Sequence, residues 1–366
     1  MYKMSSSGNI SDLEVNSEPG KDHEGSLPRV SVVIPVRNEE KYLGSCLESI
    51  AAQDYPHDLL EILVVDGSQN NRTSNIARQY ADKNHLNLRI LENPHGNTPC
   101  GLNIGYKNAR GDIFIHFIGH AIMPSDFVSK NISYLREKNA DAVGGLVESA
   151  SIEDKIVPKA IGYALNSLFG LGGVTARTGT KERYIDNPSF GAYKKELFQK
   201  YGYIDERLTR NQDYEFNQRI TSAGAKIYFT PEIRSKYYNR TSYGSLFKEY
   251  FNAARWRTFM IGRFVRAVRL RHLAPPLFFL AVILSIGLSF FIKPFTWILL
   301  GLLGIYSVVA LGFSIGLSIR TSLRFFPAIL ITYPVIHIGY GIGFIIGIFE
   351  FILFGKGKKV IKADAQ

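Results

Sequence analysis

The stretch Gly111 to Ala121, GDIFIHFIGHA, is an apolar strand that delivers one histidine, His120, to its carboxyl end. Two other apolar runs end in polar turns: RNEE follows Val36, and DGSQNN follows Val65. Carboxylates in such turns accept hydrogen bonds from a base or ribose, and open helix N-termini receive phosphate. Taken singly, each turn reads as an ordinary helix cap or tight turn. Three that converge on one rim favour a ligand site. Farther along, TRNQDYEFNQRI places Asp213 at the start of a helix whose inner face is Phe216 and Ile220. Taken alone, an acid there simply opens the helix.

The elements that must position these groups show as alternation of strand and helix. RVSVVIPV is a buried strand, and EEKYLGSCLESIAAQ sets Tyr42, Leu43, Cys46, Leu47 and Ile50 on one helical face. EILVVDGS, RTSNIARQYADK, LNLRILEN, TPCGLNIGYKNA and GDIFIHFI continue the pattern. The expectation is an α/β domain with a mostly parallel sheet, in which ligands bind beyond the carboxyl ends of the strands.

Polarity divides the chain. Residues 28–241 have the mixed composition of a folded domain, whereas Pro275 to Phe354 is almost free of charge. Pro275–Ile292 and Pro294–Leu317 each approach the roughly 20 residues that cross a bilayer as a helix, and Pro327–Phe354 exceeds them. The expected organisation is a disordered polar leader (1–27), an α/β domain (28–241), an amphipathic interface segment (242–272), a transmembrane region (273–355) and a basic tail (356–366). The leader has no apolar stretch of the kind a signal peptide needs. The α/β domain is therefore expected in the cytosol of a multi-pass cell-membrane protein. Cys46 and Cys100, without CxxC spacing, give neither a disulfide framework nor a metal site. The sequons at Asn71, Asn131 and Asn239 then carry no meaning, because glycosylation belongs to the other side of a membrane.

Lys and Arg number 43 against 32 Asp and Glu. Much of this excess sits just before the first apolar segment, at Arg255, Arg257, Arg263, Arg266, Arg269 and Arg271. There it holds a segment against anionic headgroups at about 1 kcal/mol each and satisfies the positive-inside rule. No nucleic-acid-binding motif accompanies the charge, so nucleic acid is not an expected partner. Three crossings would carry Lys356, Lys358, Lys359 and Lys362 outside, against that rule, whereas Arg320 and Arg324 fall inside as it requires. Pro334 and HIGYGIG are expected to break the third segment into a re-entrant or interfacial hairpin, with His337 and Tyr340 facing a site in protein or water and the C-terminus cytosolic.

The motifs VSVVIPVRNEEKYLGSCLESIAAQDYP, ILVVDGSQNNRT and NPHGNTPCGLNIGYKNARGD resemble the nucleotide-sugar half of family 2 glycosyltransferases with the GT-A fold. FGLGGVTARTG, the stretch FGAYKKELFQKYGYIDERLTRNQDYEFNQRITSAGAKIYFTPEI, and HIGYGIGF extend the resemblance to the membrane-bound subgroup similar to succinoglycan-biosynthesis enzymes. It runs from about Pro28 to the C-terminus. The resemblance implies an inverting transfer of a sugar from a nucleoside diphosphate sugar to a membrane-bound glycan or lipid-linked acceptor in cell-surface polysaccharide or glycolipid synthesis. A competing reading is a catalytically silent homologue that serves as a nucleotide- or lipid-binding scaffold. A processive synthase that also conducts its product is disfavoured by the small number of spans.

Carried onto this sequence, the resemblance assigns Glu39 and Asp66 to the nucleoside and lines the same pocket with backbone near Pro35 and Arg37. The family's metal-binding triplet, Asp-x-Asp or Asp-x-His, reads Ile118-Gly119-His120 here. Isoleucine cannot ligate a hard cation. A divalent Mg or Mn ion is thus expected only together with the nucleotide, with His120 as the one ligand from that triplet. Asp213 takes the position of the catalytic base, which removes the acceptor hydroxyl's proton, with Arg210 supplying a positive charge beside it. FNAARW resembles the Gln-x-x-Arg-Trp element of membrane synthases with Asn252 in place of Gln, which puts Arg255 at the leaving diphosphate and Trp256 at the acceptor sugar. The Gly-rich segment carrying Arg177, Lys181 and Arg183 reads either as a lid over the diphosphate or as a mobile surface loop.

Overall fold

The computed structural model describes residues 26–208, 210–261 and 270–354. The leader apart from its last two residues, Arg263, Arg266, Arg269 and the basic tail lie outside the described residues, as does the side chain of Arg271. The alternation in the first third of the sequence is realised as β1 (Val30–Val36), α1 (Leu43–Ala51), β2 (Leu60–Asp66), α2 (Arg72–Asn84), β3 (Leu88–Glu92), α3 (Thr98–Asn108) and β4 (Ile113–His116). There follow β5 (Ala121–Ile122), α4 (Phe127–Glu137), β6 (Ala142–Ala150), α5 (Ile156–Leu165), α6 (Leu168–Leu171), α7 (Thr175–Thr178), β7 (Arg183–Ile185) and β8 (Ala192–Lys194). The chain continues through α8 (Lys195–Tyr201), α9 (Gln212–Ser222), β9 (Ile227–Tyr238) and α10 (Tyr243–Ile261). It closes with the apolar helices α11 (Leu270–Ser289), α12 (Pro294–Arg320) and α13 (Phe326–Gly347).

The strands form one sheet of order β3-β2-β1-β4-β8-β6-β9-β5, with β7 added on β9. Pairing is parallel from β3 to β4. Beyond β4 the sheet is mixed: β8 runs antiparallel to both neighbours, and β6 and β9 are parallel to each other. Parallel pairing is therefore unbroken only in the Rossmann-like first half. Period-two alternation splits β1 between two cores. Val30, Val32, Ile34 and Val36 pack with Leu43, Leu47 and Ile50 of α1 on one face. Val33 packs with Leu102 and Tyr106 of α3 on the other. Each such buried aliphatic side chain is worth about 1.5–3 kcal/mol relative to exposure. Tyr42 leaves the expected α1 face and stacks on Tyr238.

His272–Ser289, Pro294–Arg320 and Leu323–Leu353 are long and apolar enough to cross a membrane. They differ in how much protein surrounds them: 17% and 11% of the first two are buried, against 39% of the third. The expected break in the third segment does not occur. α13 runs unbroken through Pro334, and His337 lies between the Tyr306 hydroxyl at 3.0 Å and the Phe169 carbonyl at 2.9 Å. A proline within a helix forfeits one backbone hydrogen bond, and packing on α5, α10, α11 and α12 holds the helix together across it.

The closest of these contacts is with α10. Gly339, Gly343 and Gly347 recur every fourth residue along α13, and they face Phe247, Phe251 and Arg255, which recur every fourth residue along α10. The two helices are thus parallel and in backbone contact, the small-residue mode of close helix packing. A Cβ on Gly343 would overlap the Phe251 carbonyl oxygen. We expect Gly343→Leu to lower the unfolding temperature of the detergent-solubilised protein, since overpacking costs about 1–3 kcal/mol. Gly304→Leu, whose Cβ would meet nothing within 4 Å, should leave it unchanged. Equal unfolding temperatures for the two variants would contradict this packing.

Candidate active site

Strand order reverses between β1 and β4, and a crevice opens there beyond the carboxyl ends of both strands, as in other open α/β sheets. It is a cleft of about 680 Å³. Its walls bring together Pro35, Arg37 and Glu39 from the turn after β1, His116, Ile118 and His120 from the end of β4, and Asp213 from α9. These residues span most of the domain's sequence.

The first turn is held by its neighbours. Asn38 takes a left-handed φ of 56°, which asparagine tolerates better than most residues, and its N–H donates to Ser68 Oγ at 2.8 Å. Arg37 Nη1 donates to the Gly96 carbonyl at 3.0 Å. Glu39 is thereby aimed at His120, and its Oε1 lies 2.7 Å from His120 Nδ1. Gly119 allows this approach, because a Cβ there would come within 2.9 Å of Val36 Cγ1 and 3.2 Å of Glu39 Cγ. The His120 ring also meets Tyr237 edge-on, with centroids 5.3 Å apart.

Asp66 is placed differently from Glu39. One carboxylate oxygen accepts from the Ser68 N–H at 2.8 Å and the other from Ser74 Oγ, and the residue does not line the cleft. Its effect reaches the cleft through the turn it braces, where Gly67 donates to the Val36 carbonyl and packs against Gly96, a cleft residue.

Asp213 stands in the first turn of α9, after Asn211 in a left-handed conformation with φ 61°. Asn211 Nδ2 donates to the Ala253 carbonyl at 3.1 Å, which fixes this helix start against α10. The positive end of a helix dipole favours an anion at this position. His116, on the same cleft wall, escaped the sequence reading. Burial pushes its imidazole down toward the neutral form, and the charge of Asp213 works in the opposite direction. The available signal was a lone imidazole inside the otherwise apolar IFIHFI.

Positive charge closes the cleft. Arg177, Arg210 and Arg240 join Arg37 among the lining residues, against the carboxylates of Glu39, Asp213 and Glu249. Arg177 donates to the Val147 carbonyl at 2.9 Å and to Ser149 Oγ at 2.7 Å, and its guanidinium lies 5.2 Å from the Tyr237 ring centroid. Burial works against its charge, while Tyr250, Tyr237 and Glu249 support it. Burial also pushes the Tyr237 phenol up to about 12; Glu249 adds to this, and Arg240, Arg177 and Arg210 oppose it. Arg240 Nε is held by Glu249 at 2.7 Å. Of the three basic residues in the Gly-rich segment, only Arg177 reaches the cleft; Lys181 is exposed and Arg183 bonds to Thr175.

Arg255 and Trp256 do not line the cleft. Ala253 does, and at 3.6 residues per turn a residue two positions on points to the far side of the helix. Arg255 there makes a two-pronged ion pair with Glu350, Nη2 to Oε1 at 2.7 Å. Trp256 packs against Phe259 and Phe351. The pair that the resemblance assigned to leaving group and acceptor instead joins α10 to the end of the third apolar segment.

The donor set suits a divalent cation poorly. Such ions take six or more oxygen ligands, or fewer with water and phosphate. Here the first triplet position is Ile118, His120 has one nitrogen committed to Glu39, and no group of three or more His, Cys, Asp or Glu able to hold a metal occurs among the described residues. Titration of Mn²⁺ or Mg²⁺ into the purified protein is expected to show no tight site without nucleotide. Any binding that appears on adding nucleoside diphosphate should weaken in His120→Ala. Tight binding to the nucleotide-free protein would overturn this account.

A Rossmann-like sheet with a basic crevice at its point of strand reversal and an added mixed half-sheet is the architecture of a GT-A domain. The comparisons agree. Residues 31–202 match Glycosyl transferase family 2. The chain is 32% identical over 228 residues to a dolichyl N-acetyl-alpha-D-glucosaminyl phosphate 3-beta-D-2,3-diacetamido-2,3-dideoxy-beta-D-glucuronosyltransferase of Methanococcus voltae, covering 60% of this chain and 70% of that protein. It is 24% identical over 315 residues to the succinoglycan biosynthesis protein ExoA of Rhizobium meliloti, covering 86% and 93%. The fold matches a mannosyltransferase from Pyrobaculum calidifontis, solved with GDP-Man and Mn²⁺, with a TM-score of 0.59 at 19% identity over 86% of this chain and 88% of that one. The chain belongs to glycosyl transferase family 2 and is a glycosyltransferase.

Proposed function

We propose that this enzyme transfers a hexose-type sugar, with inversion, from a nucleoside diphosphate sugar to a lipid-linked or glycan acceptor at the cytosolic face of the cell membrane, in cell-surface polysaccharide or glycolipid synthesis. The observation that carries the reading is that Asp213 and four guanidinium side chains, of Arg37, Arg177, Arg210 and Arg240, line one cleft at the carboxyl ends of β1 and β4. The nucleoside takes the β1 side, against Pro35, Arg37 and Glu39, with Asp66 bracing the adjoining turn. Asp213 removes the proton of the acceptor hydroxyl as its oxygen bonds to the anomeric carbon. The bond from that carbon to the phosphate oxygen breaks, and its electron pair leaves with the nucleoside diphosphate. Arg177, Arg210 and Arg240 stabilise the negative charge that develops, an effect that can supply several kcal/mol in a site shielded from water. One base acting directly, without a second carboxylate as nucleophile, displaces the leaving group from the opposite face and inverts the centre.

The substitution Asp213→Asn separates chemistry from binding, because a base acts only as the acceptor attacks. Transfer should fall about a hundredfold to ten-thousandfold, while calorimetry shows nearly unchanged affinity for the nucleoside diphosphate. A variant that keeps more than half of wild-type transfer would remove Asp213 from the mechanism.

The membrane arrangement we favour has α11 and α12 as a crossing hairpin and α13 on the side of the catalytic domain, so that 28–241, 242–272 and 273–355 act as one unit. Two facts support it. α13 lies in backbone contact and parallel with α10, whose Glu249 and Ala253 line the cleft for a water-soluble donor. Arg320 and Arg324, between α12 and α13, then sit on the cytosolic side as the positive-inside rule asks. A reporter fused after residue 366 should be active in the cytosol, and activity only outside the cell would reject the arrangement.

A further inference from the structure

A second cavity, also about 680 Å³, lies between α12 and the segment that runs from α5 to α7. Along α12 it is lined by Val309, Gly312, Phe313, Gly316 and Leu317, with Arg320 at the end of the same stripe. These positions follow the three-and-four spacing of one helical face. Across from them stand Asn166, Ser167, Leu168 and Thr178. The groove is mostly apolar, and it lies on a helix apolar enough to cross a membrane. Leu168 is 60% exposed within it. A Cβ on Gly312 or Gly316 would meet nothing within 4 Å. These glycines thus leave space open, whereas Gly339, Gly343 and Gly347 admit a neighbouring helix. Arg320 is exposed and makes no ion pair among the described residues.

The groove adjoins the active site across one helical turn. Thr178 lines the groove, and the preceding residue, Arg177, lines the catalytic cleft. The wall between them is hydrogen-bonded. Asn166 holds the Ser149 backbone through both its amide N–H and its carbonyl at 2.9 Å, and Ser149 Oγ accepts from Arg177.

We propose that this groove binds the lipid of the acceptor: the hydrocarbon chain lies along Val309 to Leu317, Arg320 meets its phosphate, and the head passes α7 into the cleft. The proposal rests on the glycosyltransferase reading and assigns the acceptor to the lipid-linked rather than the free-glycan class. Three features favour this occupant: apolar lining at the level of a membrane helix, a cation at one end that complements a phosphate, and adjacency to the cleft, with Thr178 on one side and Arg177 on the other. The cavity's size falls in the range of about 300–1,000 Å³ usual for small-molecule sites.

The test uses the full chain in detergent micelles and a diazirine-tagged isoprenyl monophosphate, with the matching isoprenyl alcohol as the uncharged probe. Labelled peptides are identified by mass spectrometry, and nucleoside diphosphate binding is measured by calorimetry on the same samples. Label is expected within 166–178 and 309–320. Gly316→Leu, which fills the groove, should cut labelling about tenfold, and Gly304→Leu should not. Arg320→Gln should cut labelling by the phosphate probe about tenfold, as loss of a charge-assisted contact implies, and leave the alcohol unaffected. Labelling of Gly316→Leu at the wild-type level, label confined to other segments, or complete competition by an equal concentration of phosphatidylglycerol would each overturn the proposal. If nucleotide binds and the groove stays unlabelled, the groove assignment alone fails. If the groove labels but nucleotide does not bind, the donor reading fails and the lipid site stands.

Discussion

Parallel pairing of β1 with β4, in register from Val30 opposite Ile113 to Val33 opposite His116, sets the geometry from which the active site follows. Because β1 also pairs with β2 on its other edge, the crossovers leave in opposite directions, and no connection covers the carboxyl ends of β1 and β4. Two turns distant in sequence emerge side by side, and Glu39 and His120 come within hydrogen-bonding distance. Lose that pairing and the crevice, the Glu39–His120 contact and the position of His116 go together.

The second half of the sheet turns this opening into an electrostatic site. β9 ends at Tyr238 and brings Tyr237 and Arg240 to the rim, while α7 sets Arg177 over Tyr237. Gathering cations in a partly desolvated cleft is unfavourable by itself, and burial does act against the charge on Arg177. The structure offsets this with carbonyl and hydroxyl acceptors for Arg177 and with Glu249 for Arg240. What remains is a site whose charge is best satisfied by an anionic ligand, which is consistent with the nucleoside diphosphate leaving group we propose.

The apolar helices are built onto this site. α10 contributes Glu249 and Ala253 to the cleft on one side and accepts the glycines of α13 on the other. The Arg255–Glu350 ion pair and the Trp256–Phe351 contact extend that seam by further turns. A charge pair that stays partly exposed adds little net stability, so it fixes the register of the two helices more than it strengthens them. The seam thus joins the wall of the catalytic cleft to α13 through side-chain and backbone contacts.

Local chemistry was legible in the sequence. The period-two strands, the α1 face apart from Tyr42, the turns after Val36 and Ile118, the helix start at Asp213 and the apolar segments all depend on neighbours within a few residues, and each appears where its pattern placed it. So does the gathering of Pro35, Arg37, Glu39 and His120, because turns that follow successive parallel strands share one rim; Asp213 joins them from α9, where only the family resemblance pointed to it. The rest depends on which distant groups meet. Asp66 and Glu39 look alike in sequence, both acids at strand ends, but Ser68 and Ser74 claim the first and His120 the second. Arg255 follows a motif-like spacing, yet a two-residue step around α10 turns it from the cleft toward Glu350, nearly a hundred positions away in the chain. Pro334 marks a break by its own chemistry, and tertiary packing overrides it, because a helix held on several flanks can lose one backbone hydrogen bond and stay continuous. Composition made the third segment long and apolar enough to span a bilayer; only the folded chain set it against α10, since glycine spacing permits close contact without naming the surface that will fill it.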